Sequence, residues 1–315
     1  MLRAMTYRWI LVAAITATAF FSASCGNDED LLLMAGNTQG AAAEGEALYK
    51  TAKAADDAGK SGKAIKLYDE TATRFPFAPS AARARFRQAQ ILEQQGEIED
   101  SFKAYDQFLN RFKGSGLYSE ALNRQAAMAQ AAADGDVKNS FLGLKSKLSL
   151  DKTVAMLGKV RDNAPKSRAA AKAQFTIGEL YESKKKSKEA IAAFRQLVRD
   201  QPESPEAPEA LFRVGQIYIK EADDGNQNQA NLDLAREAFN DYLIQYPRHS
   251  RNGEARKLIA NLGSRDLQKS YDIAQFYEKT GKTESAKVYY REIVKRTGSG
   301  KLHNDAKARL RELGE

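Results

Sequence analysis

Apolar residues recur at helical spacing from about Glu44 to the end of the chain, with no alternating strand-like run of any length. Within this pattern, a small residue is followed four positions later by an aromatic residue or leucine, and eight positions after that by proline. The clear copies are Ala64, Tyr68 and Pro76; Thr153, Leu157 and Pro165; Ala190, Phe194 and Pro202; and Ala235, Phe239 and Pro247. Weaker copies around Tyr105 and Tyr290 lack the proline. Such a recurrence predicts a stack of repeated helical units.

Each unit also carries a small residue with an aromatic residue or leucine three positions later, as at Gly178 and Tyr181. Small residues let the two helices of a hairpin approach closely, and the rings fill the space between hairpins. Proline ends the second helix of a unit. Glycines stand where first helices must end and reverse: Gly59, Gly96 and Gly281.

These features resemble the tetratricopeptide repeat. The resemblance implies an all-α, tetratricopeptide-type superhelical stack of about six helical hairpins over residues 44–298. The stretch from Lys301 to Leu313 is apolar on one face and is predicted to cap the stack. Insertions are predicted within the third hairpin, from Asp134 to Leu150, and within the fifth, from Asp223 to Asn231. Residues 250–279 are predicted to form one long helix with a weak point at Gly263.

The first 24 residues have the layout of an export signal. Arg3 and Arg8 give a positive start, and residues 9–21 contain no charge. A helix formed by residues 9–21 is roughly 20 Å long. The hydrocarbon core of a membrane is ~30 Å thick, so a permanent membrane span is not expected. The only cysteine, Cys25, follows small residues. This junction resembles the lipobox of bacterial lipoproteins, and an ordinary secreted protein with an unmodified cysteine is the alternative.

The lipobox resemblance implies cleavage before Cys25 and attachment of lipid to that residue. Gly26 stands where an aspartate typically retains lipoproteins at the inner membrane, so the resemblance implies the periplasmic face of the outer membrane. The predicted organisation is a signal peptide at 1–24, a lipidated flexible tether at 25–43 and a helical repeat domain at 44–315.

The charge and the polar residues predict neither nucleic-acid binding nor catalysis. The net charge is +8, but no helix combines clustered lysine and arginine with interleaved stacking aromatic residues. His249 and His303 stand alone beside turns, so a metal site is not expected. No phosphate-binding loop or nucleophile motif is present, and no cofactor is predicted. The sequence therefore favours a non-enzymatic binding protein.

Three segments narrow the resemblance: Arg74 to Pro79, Ser140 to Leu144, and Tyr271 to Tyr277. In this order behind a lipobox, they resemble the BamD family of the outer-membrane β-barrel assembly machine. The resemblance implies a scaffold that assists insertion of β-barrel proteins into the outer membrane. The implied partners are the barrel assembly protein, C-terminal segments of unfolded outer-membrane proteins, and other envelope lipoproteins.

A stack of hairpins presents a groove lined by its first helices, and aromatic and cationic side chains there suit an extended peptide. The candidate groove residues are Tyr49, Lys53, Arg83, Phe86, Gln90 and Asn123. Tyr49 and Phe86 could instead belong to the hairpin core. Two other functions remain open. One is another envelope repeat lipoprotein in pilus assembly, cell division or cell-wall coordination, and the other is an accessory subunit or enzyme of peptidoglycan or glycan processing.

Overall fold

The computed structural model describes residues 38–136, 138–141, 144–225 and 228–315. The predicted signal peptide, Cys25, and most of the predicted tether lie outside the described residues. Leu142 and Gly143 of the third insertion, and Asn226 and Gln227 of the fifth, also lie outside them.

The described residues form six helical hairpins and a final helix, which confirms the predicted all-α stack. The hairpins are α1 (Thr38–Asp57) with α2 (Ser61–Arg74), α3 (Ala81–Gln94) with α4 (Ile98–Arg111), α5 (Tyr118–Asp134) with α6 (Leu150–Asn163), α7 (Arg168–Ser183) with α8 (Ser187–Asp200), α9 (Ala207–Asp224) with α10 (Gln229–Gln245), and α11 (Asn252–Lys279) with α12 (Thr283–Arg296). The final helix, α13 (Lys301–Glu312), packs on the last hairpin through Ala306 and Leu310, as predicted for a cap.

The turn residues end the helices where the sequence predicts. Gly59, Gly96 and Gly281 have positive φ angles of 70°, 78° and 75°, a conformation that glycine adopts without the steric cost of a Cβ. In the fourth hairpin, Lys185 takes the same conformation with φ 56°, and the glycine pattern gave no sign of this turn. The long α11 continues through Gly263 without interruption.

The first helix begins at Thr38 rather than near Glu44, so the last residues of the predicted tether are helical. Ala41, Ala42 and Ala43 are strong helix formers and extend the helix toward the N-terminus. The helix is also held by packing, because Gly45 lies so close to Phe75 that a Cβ there would stand 2.7 Å from the Cβ of Phe75.

The third insertion contains strand, where the sequence predicted none. Two strands, β1 (Lys138–Phe141) and β2 (Leu144–Lys147), form an antiparallel pair in which Lys138 lies opposite Lys147. Four-residue strands are too short to give a recognisable alternation of apolar and polar positions, so the pattern could not reveal them.

The core is built from close crossings inside each hairpin. Gly178 on α7 lies against Phe194 on α8, and a Cβ on Gly178 would stand 2.4 Å from a ring carbon. Gly215 lies against the ring of Phe239 in the same way, at 2.6 Å. These approaches explain why small residues recur one helix before each ring. Within the described ranges, no helix is both long enough and apolar enough to cross a membrane.

Replacing Gly178 with alanine should destabilise the fold. The added methyl group overlaps the fully buried ring of Phe194, and overpacking of this kind costs roughly 1–3 kcal/mol in the free energy of unfolding. Gly263→Ala is the matched control, because nothing lies within 4 Å of its added Cβ. The control should gain about 0.5–1 kcal/mol from helix propensity. Urea unfolding followed by circular dichroism measures both, and a stabilised Gly178→Ala variant would contradict the close-crossing account.

Candidate partner-binding surface

The candidate surface is the first-helix face, formed by α1, α3, α5, α7, α9 and α11. At its N-terminal end, the guanidinium carbon of Arg83 lies 5.6 Å from the ring centre of Tyr49. Arg83 is exposed and Tyr49 is half-buried. The ring of Tyr49 is supported from behind by Tyr68, with ring centres 5.7 Å apart. The structure therefore brings two of the predicted groove residues together across α1 and α3.

Three other predicted groove residues are at least partly accessible. Lys53 lies on α1, one turn after Tyr49, and its amino group contacts Asp57 at 2.7 Å. Hydrogen bonding to Asp57 raises the pKa of Lys53, which keeps it cationic. Gln90 is half-buried and accepts a hydrogen bond from Arg87, whereas Asn123 is exposed on α5. Among the described residues, neither Gln90 nor Asn123 forms a hydrogen bond, ion pair or ring contact with Tyr49 or Arg83.

Phe86 does not line the groove. Its side chain is 5% exposed and lies in the core between α3 and α4. Its ring meets the rings of Tyr105 and Phe108 edge to face, with centres 5.6 Å apart in both cases. Phe86 follows Arg83 by three positions, but its side chain turns toward the second helix of its own hairpin. Its assignment to the groove is therefore corrected, and the core alternative holds for this residue.

An acid–tyrosine–arginine cluster joins α1, α2 and α3 beside the Tyr49–Arg83 pair. Asp56 receives hydrogen bonds from Arg87 Nε at 2.7 Å and Arg87 Nη2 at 3.2 Å. The hydroxyl of Tyr68 donates to the same carboxylate at 3.3 Å. The two-point contact with Asp56 raises the pKa of Arg87 and fixes the direction of its guanidinium. The cluster links the first hairpin to the second.

The same cluster recurs along the stack with fixed spacing. The tyrosine follows the acid by 12 positions, and the arginine follows it by 31. Its further copies are Glu93, Tyr105 and Arg124; and Glu278, Tyr290 and Arg309. In the fourth hairpin, Glu182 pairs with Arg213, and a phenylalanine takes the tyrosine position. The predicted groove residues did not include these side chains, although the acid, the tyrosine and the arginine recur in the sequence at the same spacing.

In the middle of the first-helix face, carboxylates already neutralise the charge of Arg213. Arg213 contacts Glu179 at 3.2 Å, Glu182 at 3.0 Å and Glu209 at 3.3 Å. Its guanidinium also lies 5.6 Å from the ring centre of Phe175. Burial raises the pKa of Glu179, and Arg213 opposes this shift. Arg213 thus holds α7 and α9 together and has little capacity left for a ligand.

A cavity of about 520 Å³ lies between α6, α7 and α8. Its lining includes Val154, Gly158, Ile177, Tyr181, Arg161 and Gln174. Arg161 donates to the side-chain oxygen of Gln174 at 3.0 Å, which ties α6 to α7 across the cavity. None of these residues was singled out from the sequence as part of a site.

The described ranges contain no group of three or more His, Cys, Asp or Glu residues placed to hold a metal ion. The two histidines form hydrogen bonds at turns. His249 Nδ1 lies 2.6 Å from the hydroxyl of Tyr242, and His303 Nδ1 lies 2.9 Å from the carbonyl oxygen of Thr297.

The six hairpins and their inter-hairpin clusters define a tetratricopeptide-repeat scaffold. A tetratricopeptide repeat model matches residues 49–116, and the YfiO outer membrane lipoprotein model matches residues 145–311, which is more than half of the chain. The chain belongs to the YfiO outer membrane lipoprotein family, and the resemblance to BamD-like proteins is confirmed. No curated protein matches the sequence.

Solved structures with similar repeats share little sequence with the chain. MamA from Desulfovibrio magneticus RS-1 is 14% identical over 65% of this chain and 97% of its own, with a TM-score of 0.29. A tetratricopeptide repeat protein from Parabacteroides merdae ATCC 43184 is 14% identical, covering 86% of this chain and 99% of its own, at 0.29. PilF from Pseudomonas aeruginosa is 12% identical, covering 86% and 100%, at 0.29. At these scores the likenesses carry no argument about function.

The buried tyrosines should make the fold sensitive to alkaline pH. Burial raises the pKa of Tyr290 to about 12, whereas an unfolded tyrosine titrates near ~10. Between these values the unfolded state loses a proton that the folded state keeps. The stabilising contribution is therefore complete below about pH 10 and is lost as pH rises toward 12.

Urea unfolding at a series of pH values from neutral to strongly alkaline measures this loss. Tyr290→Phe should cost about 1 kcal/mol at neutral pH through the lost hydrogen bond to Glu278, and should flatten the alkaline decline. Tyr289→Phe is the neighbouring control, since Tyr289 is only partly buried. An equal alkaline slope in the wild type and Tyr290→Phe would show that this phenol does not drive the loss.

Proposed function

We propose that the protein is a non-catalytic scaffold, anchored by lipid at Cys25 to the periplasmic face of the outer membrane, that assists β-barrel assembly. Family membership and the repeat fold support a lipoprotein that binds other proteins. The proposed partners are the barrel assembly protein, unfolded barrel substrates and other envelope lipoproteins. The N-terminal hairpins receive the substrate.

The observation that carries the proposal is the contrast between Arg83 and the arginines of the inter-hairpin clusters on α3 and α5. Arg87 and Arg124 are held by carboxylates of the preceding first helix. Arg83 has no carboxylate partner within the described part of the chain, and it is exposed beside a half-buried ring. A cation left unpaired at the surface retains its full capacity to bind an anionic group.

The geometry suits a peptide that ends in an aromatic residue and a free carboxylate. The guanidinium of Arg83 offers two parallel N–H donors to the carboxylate, and the ring of Tyr49 gives the aromatic side chain a surface to pack on. Lys53, one turn along α1, is paired with Asp57, so Arg83 is the cation here that lacks a carboxylate partner among the described residues. Because the clusters around Asp56 and Glu93 fix α1, α3 and α5, the surface is preformed and the peptide is the part that becomes ordered.

Arg83→Gln should weaken binding of such a peptide by roughly 10- to 100-fold, the equivalent of a lost charge-assisted hydrogen bond. The probe is a fluorescent peptide with the C-terminal sequence of an outer-membrane barrel strand ending in phenylalanine, titrated by anisotropy. The same peptide with an amidated C-terminus should bind wild type weakly and should be insensitive to Arg83→Gln. Arg199→Gln is the matched control, because Arg199 is exposed on the second helix α8.

Equal affinity of the free and amidated peptides for the wild-type protein would contradict carboxylate recognition. Equal losses in Arg83→Gln and Arg199→Gln would indicate general charge attraction rather than a site. In either case the repeat fold and the family membership would be unaffected. A role in pilus assembly, cell division or cell-wall coordination would then be favoured over barrel assembly.

Cys25→Ala should abolish lipid attachment. Cells grown with labelled palmitate should incorporate label into the wild-type chain and not into Cys25→Ala, because Cys25 is the only thiol. Ser22→Ala is the control and should still be labelled. An unlabelled wild-type chain would contradict the lipoprotein assignment of Cys25 without bearing on peptide binding at Arg83.

A further inference from the structure

The turn between α2 and α3 holds a phenylalanine in solvent. Phe77 is 76% exposed, whereas its neighbours Phe75 and Ala78 are buried at 6% and 7%. Pro76 and Pro79 restrict the backbone on both sides of the turn. Since the flanking residues are fixed in the core, the exposed ring is presented outward by a rigid turn. A single exposed ring is ordinary on a protein surface, so the significance of Phe77 depends on the position of its turn in the stack and on the residues beside it.

The start of α1 lies against this turn. Ala41 packs on the cluster that contains Phe75 and Ala78. The side chain of Glu46 accepts a hydrogen bond from the backbone nitrogen of Ser80 at 2.7 Å. The N-terminal end of the repeat domain and the exposed ring of Phe77 are therefore on the same edge of the stack.

Chain length limits how far this edge can stand from the lipid. Thr38 follows Cys25 by 13 positions, so the distance between them cannot exceed about 45 Å even when fully extended. The turns between the first and second helices, at Gly59 and Gly96, lie on the opposite edge. That edge is one 14-residue helix away, or roughly 20 Å. A lipid on Cys25 therefore favours the edge that carries Phe77 as the one nearer the membrane.

Cations accompany the exposed ring. Arg74 lies 5.3 Å from the ring centre of Phe75 and pairs with Glu70. Phe112, at the next turn of the same edge, packs against the cluster of Phe75 and Ala78. Its neighbours Arg111 and Lys113 are exposed. An aromatic ring with nearby cations matches the boundary between anionic headgroups and acyl chains.

We propose that the turn from Phe75 to Pro79 docks on the phospholipid surface, with the ring of Phe77 at the headgroup–acyl boundary and Arg111 and Lys113 near lipid phosphates. The inference rests on the proposed lipid at Cys25 and adds a second point of membrane contact. Two points of contact hold a peripheral protein more firmly than one and also restrict its rotation. The axes of helices α1 to α4 are then roughly perpendicular to the membrane, and the Tyr49–Arg83 pair faces in a direction parallel to the membrane surface.

The test uses the full-length lipoprotein reconstituted into vesicles of phosphatidylethanolamine and phosphatidylglycerol, part of it with brominated acyl chains. Cleavage before Cys25 removes Trp9, the only tryptophan of the sequence. Phe77→Trp in this tryptophan-free background therefore carries a single indole, at the turn. Its emission should shift to the blue on reconstitution and should be quenched by the brominated lipid. Since Phe77 is mostly exposed, the change should leave thermal unfolding unaltered.

Phe276→Trp in the same background is the matched control. Phe276 is also exposed, at 61%, but it lies near the end of α11 on the opposite edge, in the sixth hairpin. Its emission should be neither shifted nor quenched. Co-flotation with the vesicles reports the lipid anchor independently of fluorescence.

A chain that floats with the vesicles while the indole at position 77 stays unquenched overturns this inference and leaves the lipid anchor standing. Equal quenching at both positions also overturns it, because the edge would have no preference for the membrane. A blue shift that appears only with outer-membrane protein extract assigns the ring to a protein partner instead. A chain that does not float removes both the anchor and this contact, whereas peptide binding at Arg83 is unaffected by either result.

Discussion

The structure depends on the close crossing of two helices inside each hairpin. Gly178 meets the ring of Phe194, and Gly215 meets the ring of Phe239, with no room for a methyl group at either glycine. In other hairpins alanine takes the small position, as Ala89 does in the cluster that contains Tyr105. Because interiors are packed at crystal-like density, this contact fixes how the two helices sit against each other. Because each hairpin has a fixed shape, this crossing also limits how neighbouring hairpins pack against each other.

Stacking is completed by polar contacts that repeat with the hairpins. An acid near the end of one first helix binds a tyrosine from its own hairpin and an arginine from the next, as Glu93 binds Tyr105 and Arg124. These clusters pair Arg87 and Arg124 with carboxylates, whereas Arg83 has no carboxylate partner among the described residues. Arg83 lies in the same stripe as Arg87 but beside the ring of Tyr49 rather than a carboxylate. Pairing with carboxylates thus marks Arg87 as a residue that joins hairpins, and Arg83 remains the proposed ligand-binding cation.

The two edges of the stack differ as much as its two faces do. The edge where α1 begins carries the exposed ring of Phe77 and the cations that flank Phe112. The opposite edge carries the positive-φ turns that end the first helices, at Gly59 and Gly96. The proposed contact of Phe77 with the membrane would set the orientation of the proposed binding surface, because a lipid anchor alone leaves the domain free to rotate. A groove held at a defined angle to the membrane would meet an extended chain in one orientation.

The sequence by itself determined the helical class, the six hairpins, their proline and glycine ends, the place of the third insertion and the capping helix. Each of these follows from local chemistry or from a period that repeats along the chain. The tertiary structure alone decided that Arg83 lies over Tyr49 and that Phe86 lies in the core. A first helix in such a stack contacts its own second helix and both neighbouring hairpins, so its apolar stripe is wide and helical periodicity cannot say which contact a residue such as Phe86 makes. Contacts between hairpins join residues about 31 positions apart, and only folding shows which of them meet.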